Sequence, residues 1–170
     1  MLGSSAAWLT PIAVVVLLGV SAFFSSAEIA LFSSTTAPAE TDDADRRSTT
    51  LARLREDPHR LLVTILVGNN VVNVAIASVV SVAFANQFSG GIAVTAATLA
   101  TSVLVLVFGE IVPKAYGLGR ANDWALTVAR PVPAVEVLLS PIVTVFDVVT
   151  RRLSAPLGGE QGIERPYEND

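Results

Sequence analysis

The chain has 170 residues, of which 52% are hydrophobic and only 15% are charged, against about 25% charged residues in an ordinary soluble domain. Three stretches carry the apolar surplus: residues 12–32 contain one charge, and residues 61–86 and 92–109 contain none. Each is close to the roughly 20 residues that a helix needs to cross a bilayer. A domain of this size has no interior in which to bury three such helices. The composition therefore excludes a soluble enzyme and predicts an all-α membrane protein.

The lysines and arginines, eleven in all, lie in two zones of the chain. One zone separates the first two apolar stretches and the other follows the third: Arg46, Arg47, Arg53, Arg55 and Arg60, then Lys114, Arg120, Arg130, Arg151, Arg152 and Arg165. Basic loops stay on the cytoplasmic side of a membrane. We therefore expect the N-terminus and the loop at residues 87–91 to lie outside and the C-terminus to lie in the cytoplasm. The first stretch lacks the basic start of a signal peptide, so we expect it to remain as a spanning helix.

Three spanning helices follow from this pattern, at about residues 12–34, 60–86 and 92–112. The polar segment between the first two is expected to contain a short helix. Asp57 followed by Pro58 is typical of a helix start, with the aspartate as N-cap and the proline in the first turn. Gly90 and Gly91 are expected to form the outer turn before the third span.

The last apolar stretch, residues 131–150, differs from the others because it contains acidic residues and prolines. At 100° per residue, four polar side chains share one face: Glu136, Ser140, Thr144 and Asp147. Such a helix either lies along the cytoplasmic interface or crosses the membrane with its polar side toward other helices. We favour the interfacial, juxtamembrane helix, because a span would carry the two arginines that follow it to the outer side.

Ionisable groups at membrane depth are costly and commonly line an ion path or an ion site. Only Glu28 and Glu110 lie at that depth in the predicted spans. In the first span Ser21, Ser25 and Glu28 are spaced i, i+4 and i+7, so their side chains share one helix face. Ser26 points to another side of the helix.

The second span contains three asparagines within two turns, Asn69, Asn70 and Asn73, next to Gly68. Asparagine is a poor helix former and a costly group in lipid. Hydrogen bonds between helices would explain one such residue. Three asparagines beside a glycine favour an ion site at least as well as they favour hydrogen bonds between helices.

The third span ends at Gly109-Glu110, followed by Pro113 and Lys114. Proline has no N–H and its ring clashes with the carbonyl four residues back, so the Gly109 carbonyl is expected to lose its helical partner beside the Glu110 carboxylate. Carbonyls freed in a broken helix can coordinate ions where they line a cavity. The simpler alternative is a proline that ends the span, with Glu110 paired to Lys114.

The candidate ligands are therefore hydroxyl, carboxamide, carbonyl and carboxylate oxygens, at Ser21, Ser25, Asn69, Asn70, Asn73, Gly109 and Glu110. Such oxygens suit magnesium, calcium, sodium or manganese rather than zinc or copper. The chain has no cysteine, and its one histidine, His59, is expected to be a solvated loop residue. Nucleic acid is not expected as a partner, because the basic zones lack interleaved aromatics. An intramembrane hydrolase is disfavoured, because no histidine or lysine lies at that depth to act as a base.

Three segments resemble the signatures of one known family. They are SAFFSSAEIAL at residues 21–31, TILVGNNVVN at residues 64–73 and GEIVPK at residues 109–114. These segments are similar to the transmembrane domain of the cyclin M (CNNM), CorB and CorC magnesium transporters. The resemblance covers about residues 10–152, and we assign residues 1–152 to that domain.

The resemblance implies a homodimer with three spanning helices and a cytoplasmic juxtamembrane helix. It implies export of Mg²⁺ across the plasma membrane, coupled to Na⁺ entry, by way of a dehydrated ion. That ion would lie between the serines of the first span, the asparagines of the second, and the Gly109 carbonyl with Glu110. Glu28 is assigned to the exit path or to a structural pair. The alternative function is a non-transporting membrane magnesium sensor or dimeric scaffold.

The resemblance further implies cytoplasmic CBS domains in the full-length protein. Residues 153–170 form an acidic tail that we expect to lead to them.

Overall fold

The computed structural model describes residues 8–35 and 42–154, and the regular structure within these two ranges is entirely helical. The elements are α1 (Leu9–Ser33), α2 (Asp42–Leu54), α3 (Pro58–Ala85), α4 (Gly90–Leu104), a π-helical segment (Val105–Ile111), α5 (Val112–Gly119), α6 (Ala121–Val128) and α7 (Val132–Ser154). Four stretches are long and apolar enough to cross a membrane: Leu9–Ser33, Pro58–Ala85, Gly90–Gly119 and Val132–Leu153. The all-α prediction is therefore confirmed, and the first three stretches correspond to the predicted spans. Most of the predicted acidic tail lies outside the described residues.

Helix α1 occupies the middle of the helical packing, against α3, the π segment, α5 and α6, while α3 also contacts α4 and α7. The buried apolar side chains fall into two main groups along α1. The first apolar cluster comprises Phe24, Ala27, Ala30, Leu31, Leu51, Leu54, Leu61, Ile65, Ala125, Val128, Ala129 and Val132. The second apolar cluster comprises Ile76, Val80 and Ala97, with Val14, Leu17 and Leu18 packed against it. A layer of polar residues lies between the two clusters.

The polar connection between α1 and α3 is held by two local caps. Asp57 accepts a hydrogen bond from the Arg60 backbone N–H at 3.0 Å, and Pro58 occupies the first turn, so the predicted helix start is confirmed. Arg55 closes the end of α1, where its Nη2 donates to the carbonyls of Leu31 at 2.9 Å and Ser34 at 2.7 Å. Burial lowers the pKa of the Arg55 guanidinium, which nevertheless stays charged at neutral pH. A cation here also complements the negative end of the α1 dipole.

The third span differs from its prediction at both ends. Helix α4 begins at Gly90, whose φ of +60° turns the chain into the helix, so Gly91 lies within the helix rather than in the turn. The chain stays helical past Pro113 and through Gly119, so the proline does not end the helix as the simpler alternative expects. The π segment explains this result: the Val112 N–H bonds to the Val107 carbonyl, five residues back. Pro113 then falls in the first turn of α5, where its missing N–H costs little.

Both halves of α7 contact the first turn of α3. Two ion pairs join the two helices, Arg60 with Glu136 and Arg151 Nη2 with Asp57 Oδ1 at 3.1 Å, and His59 Nε2 lies 3.2 Å from Asp147 Oδ1. Between them, Val143 is fully buried against Val63 and Val67. The expectation that His59 is a solvated loop residue is wrong, because His59 lies in the first turn of α3 and contacts Asp147 and Thr150 of α7.

The contact between α5 and α1 depends on a glycine. A Cβ atom at Gly117 would lie 2.4 Å from the Ser26 carbonyl oxygen, which is backbone and cannot rotate away. We expect Gly117→Ala to lower the free energy of unfolding by about 1–3 kcal/mol, the usual cost of overpacking. The measurement is the midpoint of thermal unfolding in detergent. Gly119→Ala is the matched control, because nothing lies within 4 Å of its Cβ position; equal midpoints for both variants would contradict the close packing.

Candidate cation site

The polar layer between the two apolar clusters contains most of the ligands that the sequence predicts. Ser21 and Ser25 of α1 are fully buried, and Asn69 of α3 is 8% exposed. Asn73 stands one turn further along α3 and is partly buried. The spacings of four residues on each helix therefore place two hydroxyls and two carboxamides opposite each other, as the sequence predicts.

The three oxygens at the centre of this layer share one proton. Ser21 Oγ lies 2.8 Å from Asn73 Oδ1 and 3.1 Å from Asn69 Oδ1. A serine hydroxyl has a single O–H, whereas each amide oxygen is only an acceptor. When Ser21 donates to one amide, the other amide oxygen faces it without a donor from that hydroxyl. A cation bound at this point would satisfy the excess of acceptor oxygens.

The π segment brings a carboxylate to the same layer. Asn73 Nδ2 donates to Glu110 Oε1 at 3.5 Å, a long contact that connects α3 to the π segment. The neighbouring Gly109 is buried, and a Cβ atom there would lie 2.7 Å from Ser21 Oγ. Only glycine allows the hydroxyl to approach this stretch of backbone. The structure thus links Ser21 to Asn73 and Gly109, and Asn73 to Glu110, through neighbouring contacts.

Ser25 has a hydroxyl with no hydrogen-bond partner among the described residues, although the side chain is fully buried. Serine in a helix ordinarily donates to the carbonyl four residues back, as Ser78 does to Val74 at 2.8 Å. A buried hydroxyl left unpaired costs about 1–3 kcal/mol. Ser25 lies one turn from Ser21 on the same face, so its free oxygen is available to a ligand in the polar layer.

Asn70 is the one predicted ligand that the structure places apart from the others. Its side chain is exposed, and its Nδ2 donates to the Leu66 carbonyl of its own helix at 2.8 Å. Asn69 and Asn73 are thus the two asparagines that face α1.

Glu28 lies outside the polar layer and has a basic partner. Lys114 Nζ lies 3.2 Å from Glu28 Oε2, and both side chains are partly exposed. Lys114 therefore forms its ion pair with α1 rather than with Glu110, the pairing that the simpler alternative required. Ser26 also points away, as predicted, and accepts a hydrogen bond from Trp124 Nε1 at 3.0 Å.

Neutral oxygens dominate the site. Within residues 8–35 and 42–154, no three His, Cys, Asp or Glu side chains are grouped so that they could hold a metal ion. The ligands that the structure offers are hydroxyls, amide oxygens and one carboxylate, which suit hard cations that prefer oxygen.

A groove beside this site was not predicted from the sequence. It lies between α3 and α4, has a volume of about 460 Å³, and includes Asn73 in its wall together with Thr98, Thr101 and Ser102 of α4. Hydroxyls are common in apolar helices, where they bond to their own backbone. Their shared helix face and their position opposite Asn73 are the signals that could have identified them.

Two serine variants distinguish a structural hydroxyl from a free one. We expect Ser21→Ala to lower the free energy of unfolding by about 1–3 kcal/mol, because it leaves buried amide groups without their partner. Ser25→Ala should leave stability unchanged or raise it when no divalent cation is present, because it removes an unpaired hydroxyl. Chemical or thermal unfolding in detergent with a chelator measures both. Equal losses for the two variants would show that Ser25 has a partner within the protein.

Comparisons with known proteins identify the family. The model of the family described as "Cyclin M transmembrane N-terminal domain" matches residues 12–169. A chloroplastic DUF21 domain-containing protein of Arabidopsis thaliana is 36% identical over 155 residues, which cover 89% of this chain and 23% of the relative. The UPF0053 inner membrane protein YfjD of Escherichia coli is 28% identical over 114 residues, which cover 67% of this chain and 26% of the relative. The chain thus spans about a quarter of the length of these relatives. It belongs to the cyclin M transmembrane domain family.

Proposed function

We propose that this chain is the membrane domain of a magnesium transporter, in which the polar layer holds Mg²⁺ during its passage. The observation that carries the proposal is the excess of acceptor oxygens around two buried serines: two amide oxygens share the single proton of Ser21, and the Ser25 hydroxyl has no partner among the described residues. Membership of a family associated with transport of magnesium and other divalent cations supports the same reading.

The packing of the site favours an ion without its hydration shell. Ser21 and Ser25 are fully buried, and the Gly109 backbone approaches Ser21 as closely as a glycine allows. Protein oxygens must then replace the water molecules that Mg²⁺ normally keeps. Glu110 supplies only one negative charge, so binding is moderate, which a transported ion needs if it is to leave.

Sodium entry is the proposed driving reaction for magnesium export across the plasma membrane. Hydroxyl, amide and carboxylate oxygens bind Na⁺ as well as Mg²⁺, so one set of ligands could hold the two ions in turn. The assembly is proposed to be a homodimer, with the N-terminus outside and the C-terminus in the cytoplasm. The separation of basic from non-basic segments along the chain supports this orientation.

The contacts of α7 support its assignment as a juxtamembrane helix. Glu136 and Asp147 are eleven residues apart, about 16 Å along a helix axis, yet both pair with neighbouring residues of α3, Arg60 and His59. If α7 crossed the membrane alongside α3, residues far apart on α7 would contact residues of α3 at different depths. The position of both partners in the first turn of α3 supports a helix that lies across α3 in the plane of the interface.

The transport proposal is tested by Mg²⁺ flux from proteoliposomes with and without an opposing Na⁺ gradient. We expect Ser25→Ala and Glu110→Gln each to reduce flux at least tenfold, because the loss of one interaction with a charged group, about 1.5–3 kcal/mol, corresponds to a factor of roughly ten or more. Ser78→Ala is the control on α3, since its hydroxyl bonds to its own helix.

Undiminished flux in both site variants would remove the proposed site. Stabilisation of the folded protein by Mg²⁺ without any flux would instead favour the magnesium sensor or scaffold. A flux that ignores the Na⁺ gradient would exclude sodium coupling while leaving magnesium transport intact.

The orientation of α7 is tested by spin labels along its exposed apolar face, at Leu138, Val145 and Val149. An interfacial helix places the three labels at one depth, whereas a span separates the first and last by about 16 Å, from 1.5 Å per residue. Relative collision rates with oxygen and with a water-soluble nickel complex report the depth.

Labels on α4 and the π segment that follows it provide the matched control, at Ile92, Leu99 and Leu106. Their depth should change steadily, because this helix crosses the membrane. A steady change along α7 as well would show that it is a fourth span.

A further inference from the structure

The groove between α3 and α4 begins at the cation site. Asn73 belongs to both: its amide contacts Ser21 and Glu110 in the polar layer, and its side chain forms part of the groove wall. From Asn73 the groove extends along α3 to Ser81. Eight residues of helix correspond to about 12 Å, which brings the groove to within about a turn of the end of α3 at Ala85. It therefore connects the site with the α3–α4 turn.

Hydroxyls line this groove at membrane depth. Ser81, Thr98 and Ser102 are exposed in it. A polar group without a hydrogen-bond partner is costly in hydrocarbon. The volume of about 460 Å³ has room for several water molecules, each of which occupies about 30 Å³ in the liquid.

Thr101 gives a second, independent indication that water or an ion enters the groove. Its Oγ1 is enclosed and has no hydrogen-bond partner in the part of the chain that the structure describes. Thr98, one turn earlier, shows the usual arrangement, in which the hydroxyl donates to the Val94 carbonyl at 2.9 Å. Threonine in a helix has two accessible χ1 rotamers, so a rotation can turn the free hydroxyl of Thr101 toward a molecule in the groove.

The alternative direction out of the site is closed by apolar packing. On the side of α3 that faces α1, the second apolar cluster follows directly after the polar layer, with Ile76 fully buried and Val80 5% exposed. A cation that moved along this side would lose every oxygen ligand. The groove offers it hydroxyls at intervals of about one helical turn.

We propose that the groove between α3 and α4 is a water-filled path for the cation between the polar layer and the membrane face at the α3–α4 turn. Ser102 and Thr101 supply the first hydroxyls that the ion meets after Asn73, and Thr98 and Ser81 contact it further along. This inference rests on the proposed transport function, but its test does not require transport.

Cysteine labelling tests the path directly, because the chain has no cysteine of its own. Three groove positions are compared with their immediate neighbours on the same helices: Ser81→Cys with Val82→Cys, Thr98→Cys with Leu99→Cys, and Ser102→Cys with Val103→Cys. Each neighbour is more than half exposed but lies outside the groove. The members of a pair differ in depth by only about 1.5 Å.

The reagent is a membrane-impermeant, positively charged methanethiosulfonate, added to the protein in proteoliposomes from each side in turn. It reacts with the thiolate, which forms in water and not in hydrocarbon, so groove cysteines should react at least about tenfold faster than their neighbours. Reaction should be faster from the side of the α3–α4 turn. Ser81→Cys and Thr98→Cys should react faster than the deeper Ser102→Cys.

Two results would overturn the proposal. Equal, slow labelling of both members of every pair would show that lipid chains fill the groove. Slow labelling with rapid disulfide formation between two copies on oxidation would show that the groove is a protein interface. Because labelling is read without flux, fast labelling in a protein that moves no Mg²⁺ would leave the water-filled groove in place and remove only the transport function.

Discussion

The arrangement of the helices depends on a layer of oxygen atoms enclosed between two apolar clusters. The first cluster excludes water from one end of the α1–α3 contact and the second excludes it from the other. Within the layer the amide oxygens of Asn69 and Asn73 both face Ser21, which provides one proton for the two of them. An unpaired polar group away from water is expensive. A further donor or a cation in the layer would satisfy the remaining acceptor oxygen.

Glycine makes the close approaches around this layer possible. Gly68 accommodates the ring of Phe24, whose nearest carbon would lie 2.5 Å from an added Cβ atom, and Gly109 accommodates the hydroxyl of Ser21 at 2.7 Å. Each glycine directly precedes a polar residue on the same helix, Asn69 or Glu110. The backbone beside Asn69 and Glu110 can therefore come within contact distance of α1.

The sequence predicts this layer better than it predicts the course of the third span. Spacings of four residues place Ser21 and Ser25, or Asn69 and Asn73, on one face whatever the surroundings, because a helix has a fixed period. The π segment was not predictable in this way, since hydropathy does not report hydrogen-bond register. Spacing along one helix also does not predict contacts with another helix. The pairing of Lys114 with Glu28 on α1 is therefore seen only in the packed structure.

That pairing also sets the charge of the proposed site. Lys114 neutralises Glu28, whereas the Glu110 carboxylate contacts the neutral amide of Asn73. With a divalent cation bound beside Glu110, the cation and the carboxylate together would therefore carry a net charge of +1. With a monovalent cation they would carry no net charge. Since Coulomb energies grow as the dielectric constant falls, a second free carboxylate would hold a divalent ion far more strongly and slow its release. In the proposed transport function, the ion pair on α1 would thereby favour weak binding of Mg²⁺ and its replacement by Na⁺ at the same oxygens.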